Sequence, residues 1–314
     1  MRVAVLFPGQ GSQYAAMADP WLAHEAGKAV LEEISEVWGR DVAAVCRDEA
    51  ALSTTELVQP ALFACDMAAF RTLEAEGAHF DAAAGHSLGE FVALAAAGAL
   101  DLRSAFEVVV ERGRAMQEAS RAEAGAMTAL IGLSPEDAAE VCSVAGRGDI
   151  LEVANENAPK QIVLSGSAAA IERAEGAARS KGAKAIRLRV GGAFHSPLMR
   201  PALDRVREAI SRLEFREPNT AVVPNASGRP TTEPSALRDL LSRHLVSPVR
   251  WERSMRALGE AGVGTFVEAG PGDVLSKLVR RIVPGATVLA AGSPEAAEAA
   301  ARFVSGSDLE RVNR

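Results

Sequence analysis

The string Gly85-His86-Ser87-Leu88-Gly89 sets a serine between glycines placed two positions before and two after it. A short run rich in small residues, Phe80 to Ala84, leads in, and Glu90 to Gly98 leads out with helical composition. Strand, Gly-x-Ser-x-Gly and helix, in that order, is the arrangement of a nucleophile elbow. A serine at such a turn has a strained backbone, so its neighbours must be small for strand and helix to approach. Its hydroxyl then stands at a helix N-terminus, where backbone N–H groups can receive developing negative charge. A serine nucleophile needs a base. Among the histidines, His195 is the strongest candidate, in the small-residue loop Gly191-Gly192-Ala193-Phe194-His195-Ser196-Pro197. His24, His79 and His244 read as ordinary helix or loop positions, whereas His86 should line the same cleft as Ser87.

Two further stretches bear on chemistry. Pro8-Gly9-Gln10-Gly11-Ser12-Gln13 follows a first strand, but it has neither a Gly-Lys-Ser/Thr ending nor G-x-G-x-x-G, which argues against a nucleotide site. It is either a tight turn or a loop that brings Gln10 and its backbone to a site at the sheet's carboxyl edge. Arg112, in Glu111-Arg112-Gly113-Arg114, reads on pattern alone as a solvated helix arginine.

The elements that must position these residues alternate. Arg2–Phe7 is expected as a buried strand, 20–50 and 57–76 as amphipathic helices, and the stretch after Asp101 as a helix to Met116. Gln59-Pro60 should open the second helix, where proline is tolerated in a first turn. From 125 to 190 the order becomes β-α-β-β-α-β, a ferredoxin-like unit. Strands at 221–225 and 265–268 then alternate with helices, the last being alanine-rich from Ser293 and followed by a polar, fraying end. The expected fold is α/β: a large, hydrolase-like parallel-sheet domain (1–124 and 191–290) with an inserted ferredoxin-like α+β domain (125–190), then a C-terminal helix and tail (291–314).

Composition agrees with that architecture. A chain of 314 residues, 48% hydrophobic and only 4% aromatic, suits close helix-on-sheet packing around one large core or two unequal ones. A net charge of −7 without a long basic run argues against nucleic-acid binding. The first apolar run is too short for a signal peptide and no run reaches membrane-spanning length, so a cytoplasmic protein is expected. Cys46, Cys65 and Cys142, at unrelated spacings, read as reduced core cysteines rather than metal or redox groups.

The motifs LFPGQGSQ, QPALF, GHSLGE, ERGRAMQ, GAFHS, SPVRW and EAGPGDVL follow one another along residues 6–275. In that order they resemble the malonyl-CoA:acyl-carrier-protein transacylases, including the discrete and modular acyltransferases of polyketide synthases. The resemblance spans about residues 1–285. It implies Ser87 as the nucleophile that carries the acyl ester and His195 as its base. The histidine would be oriented by a backbone carbonyl near SPVRW, assigned to Arg250. Backbone N–H groups of Gln10 and Leu88 would form the oxyanion hole, Arg112 would hold the malonyl carboxylate, and Gln59 and His86 would line the pocket. Phe194, before the histidine, implies malonyl over methylmalonyl.

The implied partners are malonyl-CoA and the phosphopantetheine thiol of an acyl carrier protein, in fatty-acid or polyketide synthesis, with no metal or other cofactor. A free-standing, monomeric enzyme is expected. Lys181, Lys184, Arg187, Arg189, Lys277, Arg280 and Arg281 are the candidates for a face toward an acidic carrier, against the alternative of solvated charge. A malonate decarboxylase subunit, a serine thioesterase and an idle carrier-docking protein are the alternative readings. Two departures from the pattern stand out. YAAMADPWLAH lacks the usual Met-Gly stretch, and Gly192 replaces a histidine common in modular enzymes.

Overall fold

The computed structural model describes residues 2–306. Strand β1 (Arg2–Phe7) is buried from Val3 onward and stops at Pro8, which has no N–H to continue a ladder. The single helix expected over 20–50 is broken into a 3-10 turn (Asp19–Ala23), α1 (Glu25–Trp38), α2 (Val42–Arg47) and α3 (Glu49–Leu52). Gly39 ends α1 in the left-handed conformation (φ 66°). The side chains of Asp41 and Asp48 then each accept from two backbone N–H groups and start the next helix.

Helix α4 (Thr55–Ala75) is buried along most of its length and runs under the sheet's central strands. It leads to β2 (Ala82–Gly85), α5 (Gly89–Ala96) and α6 (Leu102–Ala122), the last capped by Asp101. Pro60 lies inside α4 rather than in its first turn. The missing N–H leaves the Glu56 carbonyl without its helical donor, and that end of α4 packs tightly on Gly113 of α6. A Cβ at Gly113 would stand 3.0 and 3.1 Å from the Thr55 and Glu56 carbonyl oxygens.

The inserted unit is β3 (Gly125–Ile131), α7 (Pro135–Gly146), β4 (Leu151–Ala158), β5 (Gln161–Ser167), α8 (Ala168–Ser180) and β6 (Lys184–Arg187). Its four strands are antiparallel in the order β4-β5-β3-β6, the ferredoxin-like arrangement, and Leu130, Val141, Leu164 and Ile171 share its separate core. Ser134 and Asp137 form a reciprocal capping box at the start of α7.

The chain returns to the large domain through α9 (Arg200–Ser211), β7 (Ala221–Val223), α10 (Pro234–Leu241), α11 (Trp251–Glu260), β8 (Val263–Ala269), α12 (Val274–Ile282), β9 (Thr287–Ala291) and α13 (Pro294–Val304). The large sheet is parallel throughout, in the order β7-β2-β1-β8-β9. Edge strand β9 was not anticipated from sequence. Helix α13, set apart with the tail in the sequence reading, packs against α4, and its Ala297, Ala300 and Ala301 share the main core. The end of that expected tail, 307–314, lies outside the described residues. Cys46 and Cys65 are buried, Cys142 is half-buried, and all are free thiols. No helix among the described residues is long and apolar enough to cross a membrane.

Candidate active site

Ser87 occupies the turn between β2 and α5 with φ +52°, in the left-handed region. The glycines around it are required by contact distance. A Cβ on Gly85 would lie 1.8 Å from the Gly89 carbonyl oxygen, and one on Gly89 would lie 2.2 Å from that of Phe7. A Cβ on Gly9 would come within 2.4 Å of the His86 carbonyl oxygen, so the first glycine-rich loop lies directly against the elbow.

His195, also left-handed at φ +57°, places Nε2 2.7 Å from Ser87 Oγ. Its Nδ1–H is shared between the carbonyls of His244 (3.0 Å) and Ser247 (3.1 Å), which leaves Nε2 as the acceptor for the serine proton. The expectation that Arg250 supplies this carbonyl is therefore corrected. Arg250 is the N-cap of α11, and its carbonyl accepts from the backbone N–H and hydroxyl of Ser254 in the first helical turn. The carbonyls that face His195 come from the 3-10 turn His244–Val246 and the residue after it. Burial, and next the charge of Arg112, push the His195 imidazole down to about 3, so it is neutral at ordinary pH.

Arg112 is fully buried, not a solvated helix arginine. Its Nη2 donates to Ser87 Oγ at 3.0 Å, its Nη1 to Gln59 Oε1 at 2.6 Å and its Nε to His244 Nε2 at 2.9 Å. His244 can accept because its Nδ1–H donates to the Leu241 carbonyl at 2.7 Å, and burial holds its ring neutral. Gln59 is turned by its amide, which donates to Met116 Sδ at 3.4 Å. The Arg112 guanidinium thus has three neutral side-chain partners and two N–H groups left over. Burial pulls it down to about 9, with Glu90 acting in the opposite sense, so it carries its charge at neutral pH.

The remaining candidates gather around the same point. Gln10, Leu88, Phe194 and His86 all line, with Ser87, a cleft of about 200 Å³ between the two domains. Among the described residues the backbone N–H groups of Gln10 and Leu88 have no partner, whereas that of Ser87 is taken by Asn225 Oδ1 at 2.7 Å. His86 Nε2–H donates to Asn157 Oδ1 at 2.9 Å across the domain boundary, and burial lowers its pKa. The far wall comes from the inserted domain, including Met127, Asn155, Gln161 and Val163.

Sequence reasoning did not find His244, Asn157, Asn225 or Glu90. His244 gave no signal, since its helical surroundings look ordinary. Asn225, at the carboxyl end of β7, could have been found from the rule that open α/β sheets gather their sites there. Glu90, a lone acid opening the apolar run to Gly98, was the other legible sign. The proposed basic face is also reduced. Lys181 pairs with Glu140 and Asp137, Arg187 with Glu175 and Lys277 with Asp273. Among the described residues Lys184, Arg189, Arg280 and Arg281 have no acidic partner; Arg280 and Arg281 donate to the carbonyls of Val288 and Pro159, and Arg281 also to Gln161. No group of three or more His, Cys, Asp or Glu side chains among the described residues could hold a metal ion.

An activated serine, a fixed neutral imidazole, two free backbone donors and a buried cation suit nucleophilic acyl transfer from a donor with a negative group. The family model for the acyl transferase domain matches residues 5–298. The malonyl CoA-acyl carrier protein transacylase of Bacillus subtilis (strain 168) is 38% identical over 304 residues, covering 95% of this chain and 96% of that protein. The structure of the malonyl CoA-acyl carrier protein transacylase from Coxiella burnetii superposes with TM-score 0.93 at 35% identity, covering 97% of this chain and 98% of that one. A malonyl-transacylase solved in complex with its type II polyketide-synthase acyl-carrier protein superposes with TM-score 0.93 at 36% identity, covering 96% and 100%. With nearly the whole length matched in both sequence and fold, the chain belongs to the acyl transferase family.

Proposed function

We propose that this chain moves the malonyl group from malonyl-CoA to the phosphopantetheine thiol of an acyl carrier protein, through an ester on Ser87. The observation that carries the reading is Arg112: a buried, charged guanidinium whose three partners are neutral and whose Nη2 lies 3.0 Å from the nucleophile. A cation closed off from water needs an anionic partner. A carboxylate one methylene from the reacting carbonyl would supply it, and an acetyl group would not.

In the first half-reaction Ser87 Oγ attacks the thioester carbonyl while its proton passes to His195 Nε2. The tetrahedral oxygen takes its negative charge between the N–H groups of Gln10 and Leu88. The C–S bond then breaks, the CoA sulfur takes the proton from His195, and the malonyl ester remains on Ser87. The carrier thiol repeats these steps in reverse roles: its proton goes to His195, its sulfur attacks the ester, and Ser87 leaves with the proton. A thioester is an activated donor, so a carbonyl-oriented histidine suffices without a carboxylate third member. The malonyl carboxylate also cancels the Arg112 charge that weakens His195, so binding the correct donor strengthens the base.

This cycle requires no metal or redox cofactor. The free thiols of Cys46, Cys65 and Cys142 suit a reducing, cytoplasmic setting. Lys184, Arg189, Arg280 and Arg281 are the residues of the basic set left without an acidic partner among the described residues, and so the ones to meet an acidic carrier. The reading is tested by Arg112→Ala with malonyl-CoA and acetyl-CoA as donors in single-turnover acylation. Loss of the charge-assisted pair should lower the malonyl rate by roughly 10²–10³-fold and raise the acetyl-to-malonyl ratio. An unchanged ratio would remove malonyl recognition from Arg112.

A further inference from the structure

Asn225 lies at the junction of the two halves of the site without touching the space where an acyl group would bind. It is 2% exposed. Its side-chain Oδ1 accepts from the Ser87 backbone N–H at 2.7 Å, and its Nδ2 donates to the Gly85 carbonyl at 2.6 Å. One amide therefore closes on both sides of the left-handed turn. Its backbone is held as firmly. The Asn225 N–H donates to Glu90 Oε2 in α5 at 3.1 Å, and its carbonyl accepts from the Arg250 N–H at 3.1 Å. Arg250 closes the segment whose His244 and Ser247 carbonyls orient His195.

From this we infer that Asn225 is a positioning residue for the reaction: it holds Ser87 in its strained conformation, removes the Ser87 N–H from the oxyanion hole, and ties the elbow to the strap that aligns the base. Of the side chains of this length, only the amide offers an acceptor and a donor on one planar group without first taking up a proton. An alanine would leave the Ser87 N–H and the Gly85 carbonyl unpaired in a buried turn. An ionised aspartate would keep the acceptor for Ser87 and lose the donor for Gly85. A protonated aspartic acid has both, and so reproduces the amide's pattern. Glu90 from α5 and the Arg250 backbone contact position 225 directly; Arg112 from α6 and His195 reach the Ser87 hydroxyl, and His86 precedes Ser87 in the elbow. Burial and Glu90 both favour the protonated form.

Because this role rests on the acyl-transfer reading only through Ser87 and His195, it is tested with a probe that carries no malonyl group. An alkyl fluorophosphonate is attacked by Ser87 Oγ; the O–P bond forms, the P–F bond breaks, fluoride leaves and the serine proton passes to His195. The rate and final stoichiometry of this labelling are followed by intact mass on wild type, Asn225→Ala and Asn225→Asp. Asn225→Ala should label to the same final stoichiometry at a rate lower by roughly 10²-fold, the scale of a small misplacement of reacting groups. Asn225→Asp should be slowed less, and its rate relative to wild type should rise as pH falls, as the acid form regains the donor. The inference is overturned if both variants label at the wild-type rate. It is equally overturned if they lose only labelled fraction, with no change in rate or in its pH dependence, since that is the mark of a fold defect alone. Failure of malonyl-CoA to acylate the wild type would strike the acyl-transfer reading and leave these labelling rates as they are.

Discussion

His195 and Glu90 show how burial sets the chemistry of single residues here. The imidazole is weak at rest because it is dry and near a cation, and Glu90 is the acid nearest to that cation's field. Burial pushes Glu90 up to about 7, with the Asn225 N–H and Arg112 pulling it back. Its folded pKa thus lies above its ordinary value of 4.5. The native state holds the proton more tightly, so stability falls as pH rises from about 4.5 to about 7 and levels off above that window. Glu90→Gln keeps an acceptor for the Asn225 N–H and removes the ionisation. Urea titrations across this range should show wild type losing up to roughly 3 kcal/mol relative to the variant. A difference between the two that does not vary with pH would show that Glu90 does not titrate there.

At the scale of elements, the site depends on how one strap is held. Residues 244–250 orient His195, and they are gripped from the inserted domain as well as from Asn225. The Val249 N–H donates to the Ala154 carbonyl at 2.8 Å, and the Glu156 N–H donates to the Val249 carbonyl at 2.9 Å, so edge strand β4 adds the strap as a parallel neighbour. Glu156→Pro removes one of these donors at a sheet edge, where proline is tolerated. It should lower kcat for acyl transfer severalfold with little change in KM for the CoA donor. A purely KM effect would show that β4 shapes the cleft without influencing the base.

How far these elements could be read in the sequence follows from what each signal depends on. The Ser87 elbow was legible because its glycines answer a local contact, which the Gly85 and Gly89 distances reproduce. The ferredoxin-like order was legible because strand and helix periodicities alternate cleanly from 125 to 190. Pro60 was placed in the wrong turn because burial of α4 on every side overrides proline's preference for a helix start. The 20–50 helix was read through because the capping at Asp41 and Asp48 is a short-range effect inside a long apolar pattern. His244 and the Arg250 carbonyl could not be settled from sequence. Which carbonyl faces a histidine depends on where a strap crosses from one domain to another.

The molecule as a whole is two cores meeting at one cleft. The large domain supplies nucleophile, base and cation, and the smaller antiparallel sheet closes the opposite wall with Asn155, Gln161 and Val163. Asn157 and β4 bind across the boundary to the elbow and to the strap, so the inserted domain buttresses the catalytic residues as well as the substrate space. Phe194, 6% exposed, lines the cleft beside His195 and is the residue proposed to crowd an α-methyl group. One methyl is worth about 1–3 kcal/mol in such a pocket, so methylmalonyl should be a poorer donor rather than an excluded one.

The most direct measurement is intact-protein mass after brief mixing with malonyl-, methylmalonyl- or acetyl-CoA, on wild type and Ser87→Ala. A malonyl adduct on wild type, absent from Ser87→Ala and weaker with the other two donors, is the predicted result. CoA release without an adduct, or an adduct that persists in Ser87→Ala, would contradict transfer through a Ser87 ester.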